Sequence, residues 1–87
     1  MEQINAKVSN PGISYLNLSK DYCIKGISMA DEGNLKAALE NFDKAIETNP
    51  INHIAYFNRA TIKIDLGDFD GARNDFSKFD IIRSKLI

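Results

Sequence analysis

The side chains best suited to chemistry are few and scattered in this sequence. His53 is the only histidine and Cys23 the only cysteine among the 87 residues. Neither has a second histidine or cysteine with which to form a metal site. His53 follows Asn52 at the predicted start of a helix, where we interpret it as a surface or capping residue. Cys23 falls within a predicted helix, where a lone cysteine is expected to act as a small buried hydrophobic residue.

One acidic segment, residues 65–71, superficially resembles a calcium-binding loop. Leu66 stands where the first ligand of such a loop belongs, and Ser77 stands where the bidentate glutamate belongs. The acids are better explained as a helix N-cap and first-turn residues, which the helix dipole favours. The sequence also lacks a glycine-rich phosphate loop. We therefore predict no enzyme activity and no metal or cofactor site.

The composition is that of an ordinary soluble domain without a strong electrostatic field. Hydrophobic residues make up 44% and charged residues 26%, and the formal net charge is -1. A dedicated nucleic-acid-binding domain usually carries a basic stripe, so this class is not expected. No stretch approaches the roughly 18 apolar residues that a membrane helix needs, and the first seven residues form no continuous apolar stretch of signal-peptide length. Cytoplasmic location is the resulting prediction.

An internal repeat is the most specific signal. When the sequence is shifted against itself by 34 residues, six pairs of identical residues align, and they are mostly aromatic, small or turn residues. Such residues define packing geometry, so the repeat predicts a repeated structural unit. The pairs are Tyr22 with Tyr56, Asp31 with Asp65, Gly33 with Gly67, Ala38 with Ala72, Phe42 with Phe76, and Lys44 with Lys78.

Helix signals surround the matched positions. Gly33-Asn34 and Gly67-Asp68 each combine a glycine that can end one helix with a side chain that can cap the next. Asn49-Pro50 predicts another helix end, because proline disfavours helical geometry in the residue before it. We expect a third helix from about residue 53 to 66 and a fourth from about residue 69 to near the end. Short turns then favour antiparallel helical hairpins.

In the first repeat an aromatic residue, a small residue, an alanine, an aromatic residue, an alanine and a proline follow one another as Tyr22, Gly26, Ala38, Phe42, Ala45 and Pro50. This order resembles the tetratricopeptide repeat. The resemblance implies an all-α fold in which two hairpins, about four helices, stack as a short right-handed α-solenoid. It divides the chain into an N-terminal arm or cap (1–18, partly helical towards its end), a first repeat (19–52) and a second repeat with an extended terminal helix (53–87).

The sequence departs from the family pattern at a few positions. Lys25 and Arg59 occupy a position where leucine is common, and we expect their stems to pack with the charges in water. Phe79 replaces the small residue that the first repeat supplies as Ala45, and Ser84 replaces a proline. These two changes predict a last helix that runs on instead of turning.

The resemblance also implies a concave groove, lined by the first helix of each repeat, that binds a partner segment. In this sequence the groove is unusually apolar. Its predicted lining is Lys20, Cys23, Ile24, Ile27 and Asp31 from the first repeat, and Ile54, Phe57, Asn58, Thr61, Ile64 and Asp65 from the second.

Three occupants of that groove remain open at this point. A protein or peptide ligand is one, which would make the protein a non-enzymatic adaptor. The chain's own N-terminal segment, with Ile4, Val8, Ile13, Tyr15, Leu16 and Leu18, is another. The third is a second copy of the chain. A self-associating homodimer is the alternative function, and its predicted contact residues are Phe79, Ile81, Ile82 and Leu86 on the last helix.

Overall fold

The computed structural model describes residues 11–86, with side chains from residue 14 onward. This part of the chain forms four α-helices and contains no strand. They are α1 (Pro11–Asp31), α2 (Leu35–Thr48), α3 (His53–Asp65) and α4 (Phe69–Lys85). The main packing is of α1 on α2 and of α3 on α4, with α2 also lying against α3. The predicted all-α fold of two stacked hairpins is confirmed.

The two hairpin turns have the chemistry that the sequence predicts. Gly33 and Gly67 have φ values of 82° and 85°, a left-handed conformation that glycine adopts without steric cost. The residues that follow cap the next helices, because the side chain of Asn34 accepts from Ala37 N and that of Asp68 accepts from the N–H of residue 71. Each turn therefore ends one helix and begins the next within three residues.

The first helix extends well beyond the first repeat. It begins at Pro11, a residue whose fixed φ suits the first turn of a helix, and continues without a break to Asp31. Tyr15, Leu16 and Leu18, which we considered as a cover for the groove, lie on this helix and are exposed. Of the other residues in that hypothesis, Ile4 and Val8 lie outside the described residues, and nothing is described of the Ile13 side chain.

A close contact between α1 and α2 forms the centre of the core. Phe42 is only 1% exposed, and its ring lies so near Gly26 that a Cβ atom there would come within 2.6 Å of it. Real Cβ atoms do not approach other atoms so closely, so any larger residue would force the Phe42 ring to shift. The buried residues that form the core around this contact are Cys23, Ala38, Ala45, Ala55 and Ile62.

A buried polar link joins three helices. Ser19 on α1 is fully buried, and its hydroxyl donates to the carbonyl oxygen of Ala45 on α2 at 2.6 Å. The same hydroxyl accepts from the Asn52 side-chain amide at 2.9 Å. Asn52 is also the N-cap of α3, where its side-chain oxygen accepts from Ala55 N at 3.1 Å. The cap of the second hairpin is therefore held by the first.

Larger side chains pack between the two helices of the second hairpin than between those of the first. Where the first pairs Ser19 with Ala45, the second pairs His53 with Phe79, whose rings lie 5.7 Å apart. Phe57 lies between Phe76 and Phe79, at centroid distances of 5.5 and 5.1 Å. The last helix has 17 residues against 14 for α2. His53 is therefore a half-buried packing residue, and the capping residue is Asn52.

Gly26→Ala is expected to destabilise the protein although alanine is the better helix former. The added methyl group would force the buried ring of Phe42 to move, and overpacking of this kind costs about 1–3 kcal/mol. The gain in helix propensity offsets up to about 1 kcal/mol of that loss. Urea unfolding measures the difference. Ser28→Ala on the exposed side of the same helix is the control, and equal stability of the two variants would contradict the packing argument.

Candidate binding groove

An apolar groove of about 460 Å³ lies between α1 and the start of α3. One wall is a stripe on α1 formed by Leu16, Lys20, Cys23, Ile24 and Ile27, which recur every three or four residues and so share a face. The opposite wall comes from the α2–α3 turn, the first residues of α3 and the end of α4. Those lining residues are Asn49, Ile51, Asn52, His53, Ile54 and Leu86.

The structure brings together five of the eleven predicted lining residues: Lys20, Cys23, Ile24, Ile27 and Ile54. Phe57 instead lies against the aromatic rings of α4, although 42% of it remains exposed. The remaining five follow α1 and α3 away from this cavity. They are Asn58 and Thr61, both half-buried, Ile64, which is 42% exposed, and the exposed Asp31 and Asp65.

Cys23 forms part of the groove floor. It is 5% exposed, and a side-chain hydrogen bond links its thiol on α1 to Asn58 on α3. Burial raises the pKa of the thiol, and the hydrogen bond from Asn58 only partly opposes this effect. A thiol with a raised pKa is a poor nucleophile. Cys23 therefore contributes packing to the groove, as the sequence indicates.

Six lining residues were not in the predicted set. Leu16 could be predicted as a lining residue from the sequence, because it lies one helical turn before Lys20 on the same stripe. The α2–α3 turn could not be placed from periodicity alone. Leu86 depends on where the end of α4 returns to α3, which is a tertiary property.

The residues of the apolar stripe on α4 differ in their exposure. Ala72 on this stripe is buried, and Phe79 and Ile82 are half-buried. Ile81 and Leu86 are 51% and 61% exposed but line separate cavities, since Ile81 lies beside a polar cavity and Leu86 beside the apolar groove. Ile81 and Leu86 are thus the exposed members of the predicted contact set.

A buried ionic cluster lies on the other side of the second hairpin. Arg59 Nε donates to Asp75 Oδ2 and Arg59 Nη2 donates to Asp75 Oδ1, both at 2.8 Å. Arg59 Nη1 donates to Asp43 Oδ1 on α2, also at 2.8 Å. Lys63 Nζ lies 2.9 Å from Asp75 Oδ2. The Asp75 side chain is only 5% exposed, so its charge depends on these partners.

This cluster corrects one sequence prediction. Arg59 does not hold its charge in water, because its side chain is 19% exposed and its guanidinium pairs with two carboxylates. The equivalent Lys25 of the first repeat is exposed, as predicted. Hydrogen bonding to Asp75 raises the pKa of Arg59 although burial opposes it. Burial acts to raise the pKa of Asp75, but the bonds from Arg59 and Lys63 outweigh it and lower that pKa.

Comparison with known proteins agrees with this architecture. Family models described as tetratricopeptide repeat match residues 22–52 and 41–74. The chain is 46% identical over 56 residues to tetratricopeptide repeat protein 36 of Danio rerio. It is 32% identical over 71 residues to a homologue of that protein in Nematostella vectensis. An uncharacterised protein of Methanocaldococcus jannaschii is 42% identical over 55 residues.

The chain belongs to the tetratricopeptide repeat family, whose repeats generally mediate protein–protein interaction. The match to the Danio rerio protein covers 64% of this chain and 30% of that protein. For the Nematostella vectensis protein the shares are 82% and 39%. For the Methanocaldococcus jannaschii protein they are 63% and 64%. The chain thus spans less than two thirds of the length of each. No solved structure matches significantly.

Two further properties bear on the kind of site this is. Within residues 11–86, no helix combines the length and apolarity needed to cross a membrane. The same part of the chain contains no group of three or more histidine, cysteine, aspartate or glutamate residues placed to hold a metal ion.

Arg59→Leu should destabilise the fold by about 3 kcal/mol, because it leaves the buried Asp75 carboxylate with Lys63 as its only close cation. The double variant Arg59→Leu, Asp75→Leu should recover most of that loss, since the buried carboxylate is removed together with Arg59. Only the more exposed Lys63 and Asp43 then lose a partner. Urea unfolding followed by circular dichroism measures both. Arg83→Leu removes an exposed partner of Asp80 and should change stability by less than about 0.5 kcal/mol. A double variant no more stable than Arg59→Leu would refute the pairing argument.

The cluster also makes the free energy of unfolding depend on pH in the acidic range. Because the pKa of Asp75 is lower in the folded protein than in the unfolded chain, its contribution is present above about pH 4. That contribution is lost as the pH falls through the folded pKa. The unfolding free energy of the native protein should therefore fall more steeply below pH 4 than that of Asp75→Asn. Parallel profiles for the two proteins, measured by urea unfolding between pH 7 and pH 2, would show that Asp75 is not the titrating group.

Proposed function

We propose that this protein is a non-enzymatic interaction module that binds a segment of a partner protein in the groove between α1 and α3. The observation that supports this most directly is the concentration of exposed aliphatic side chains around one cavity. Ile24, Ile51, Ile54 and Leu86 are 56%, 60%, 46% and 61% exposed there. Apolar side chains gathered at one concave site are typical of binding surfaces, whereas single exposed ones are ordinary.

The groove also has the polar groups that a specific site requires. Lys20 and the side-chain amide of Asn49 line it beside the aliphatic residues. A few polar groups around an apolar surface fix the orientation of a ligand. Membership of a family whose repeats mediate protein interaction supports the same proposal.

Self-association is the second candidate function. Phe69 and Ile81 on α4 are 65% and 51% exposed, and neither lines the groove. A homodimer formed through this part of α4 would cover these residues, whereas a ligand in the groove would not. Leu86 belongs to the predicted self-association contacts and also lines the groove, so it does not distinguish the two functions. Ile24 and Ile81 each belong to one of the two surfaces, and an isoleucine can be replaced by glutamate at either.

Ile24→Glu is expected to abolish partner binding and to leave the fold intact, because the side chain is 56% exposed on the groove wall. Ile81→Glu is the matched control, since Ile81 is 51% exposed on α4 outside the groove. Phe57 is less suitable, because Phe57→Glu would disturb the packing of the second hairpin. The readout is affinity capture from the native lysate, followed by binding of the purified captured protein to each variant.

Each result separates the candidates. Loss of direct binding with Ile24→Glu and retention with Ile81→Glu supports the groove function. Equal binding by both variants and the native protein contradicts it. Sedimentation equilibrium is run in parallel, and a native dimer that Ile81→Glu converts to a monomer would favour self-association through α4.

A further inference from the structure

The charges at the two ends of the concave surface have opposite signs. None of the residues that line the apolar groove is acidic, and Lys20 is its one permanently charged residue. This is notable in a chain whose 12 acidic residues outnumber its 11 lysines and arginines. Helix α3 begins at the same place, so its N-terminal dipole adds a positive partial charge. We refer to this part of the surface, around Lys20 and the first residues of α3, as the basic end.

The other end of the same surface is acidic. Asp31 is the last residue of α1, and Asp65 is the last residue of α3. The two occupy equivalent positions in the repeats, 34 residues apart, and both are exposed. Because α1 and α3 are each antiparallel to α2, they run in the same direction. Their C-terminal ends, with the negative ends of both helix dipoles, therefore point towards the same side of the molecule, which we call the acidic end.

Exposed apolar side chains connect the two ends. Ile24 and Ile27 follow Lys20 along α1, and Ile54 and Ile64 lie along α3. At 1.5 Å per residue, Lys20 and Asp31 are about 16 Å apart along the α1 axis, and His53 and Asp65 are about 18 Å apart along α3. An extended chain of six or seven residues covers a similar distance, at about 3.3 Å per residue.

We propose, on the basis of the function proposed above, that the groove takes an extended segment of six or seven residues with a defined charge order. An acidic side chain of the segment lies at the basic end, aliphatic side chains contact the isoleucines, and a basic side chain lies at the acidic end. The charge complementarity of both ends with such a segment, and the match in length, support this occupant. A strongly acidic or strongly basic partner would meet a like charge at one end.

The test uses three synthetic heptapeptides that differ only in their end charges. The first is acetyl-Glu-Ser-Leu-Ser-Leu-Ser-Lys-amide, in which alternate residues place the glutamate, both leucines and the lysine on one face of an extended chain. The second has glutamine at both ends, and the third has lysine at both ends. Binding is followed by NMR chemical-shift titration of the whole chain at low salt, where exposed ion pairs contribute most.

The peptide with glutamate and lysine should bind about fivefold more tightly than the one with two glutamines, since two exposed ion pairs are added. Its shifts should include residues at both ends of the surface. In the Lys20→Glu variant this order should reverse, so that the peptide with two lysines binds most tightly. Lys25→Glu makes the same charge change on the same helix, about 140° around the axis from Lys20, and should leave the native order unchanged.

The outcomes distinguish this inference from the function on which it rests. Equal binding of all three peptides at the groove would overturn the charge order and leave apolar groove binding supported. An unchanged order in Lys20→Glu, or the same reversal in Lys25→Glu, would also overturn it. Failure of every peptide to shift groove resonances would overturn the charge order and count against groove binding as well.

Discussion

The contact between the Phe42 ring and the backbone of Gly26 is the constraint on which the other features of the structure depend. It sets the distance between α1 and α2, and the resulting core buries Ala38, Ala45 and the Cys23 side chain. With the α1–α2 hairpin closed in this way, the opposite side of α1 is left to face outward with Ile24 and Ile27. The groove is therefore a product of the core packing, because the same helix supplies residues to both.

The sequence predicted the fold well for identifiable reasons. Turn residues such as Gly33 and Asn34 act locally, through a positive φ and a cap, and so they appear directly in the sequence. The α1 wall of the groove also follows from helical periodicity. The position of Leu86 in the groove and the ion pairs of Arg59 could not be predicted from the sequence, because both depend on how separate helices pack together. Only the structure shows that an arginine in the leucine position faces a buried Asp75.

The two repeats share a pattern but are stabilised in different ways. The first has a compact apolar core with small residues at its closest approach, as in the contact between Ser19 and Ala45. The second holds its helices with the larger rings of Phe57 and Phe79 and with a buried ion pair. Buried ion pairs contribute little net stability compared with well-packed apolar residues, but removing one partner is costly because it leaves the other charge buried and unpaired. The pair between Arg59 and Asp75 is joined to Asp43 on α2, so it also links the second hairpin to the first.

The double role of Asn52 has a consequence for how the chain folds. Starting a helix is the costly step, because several residues must be ordered before the first hydrogen bond compensates for them. Asn52 caps the first turn of α3 while its amide is held by Ser19 in the first hairpin. Once that hairpin has formed, the cap is already in position and nucleation of α3 needs less ordering. Structure should therefore propagate along the chain from the first hairpin to the second, so that a side chain 33 residues away in sequence sets where the second hairpin starts.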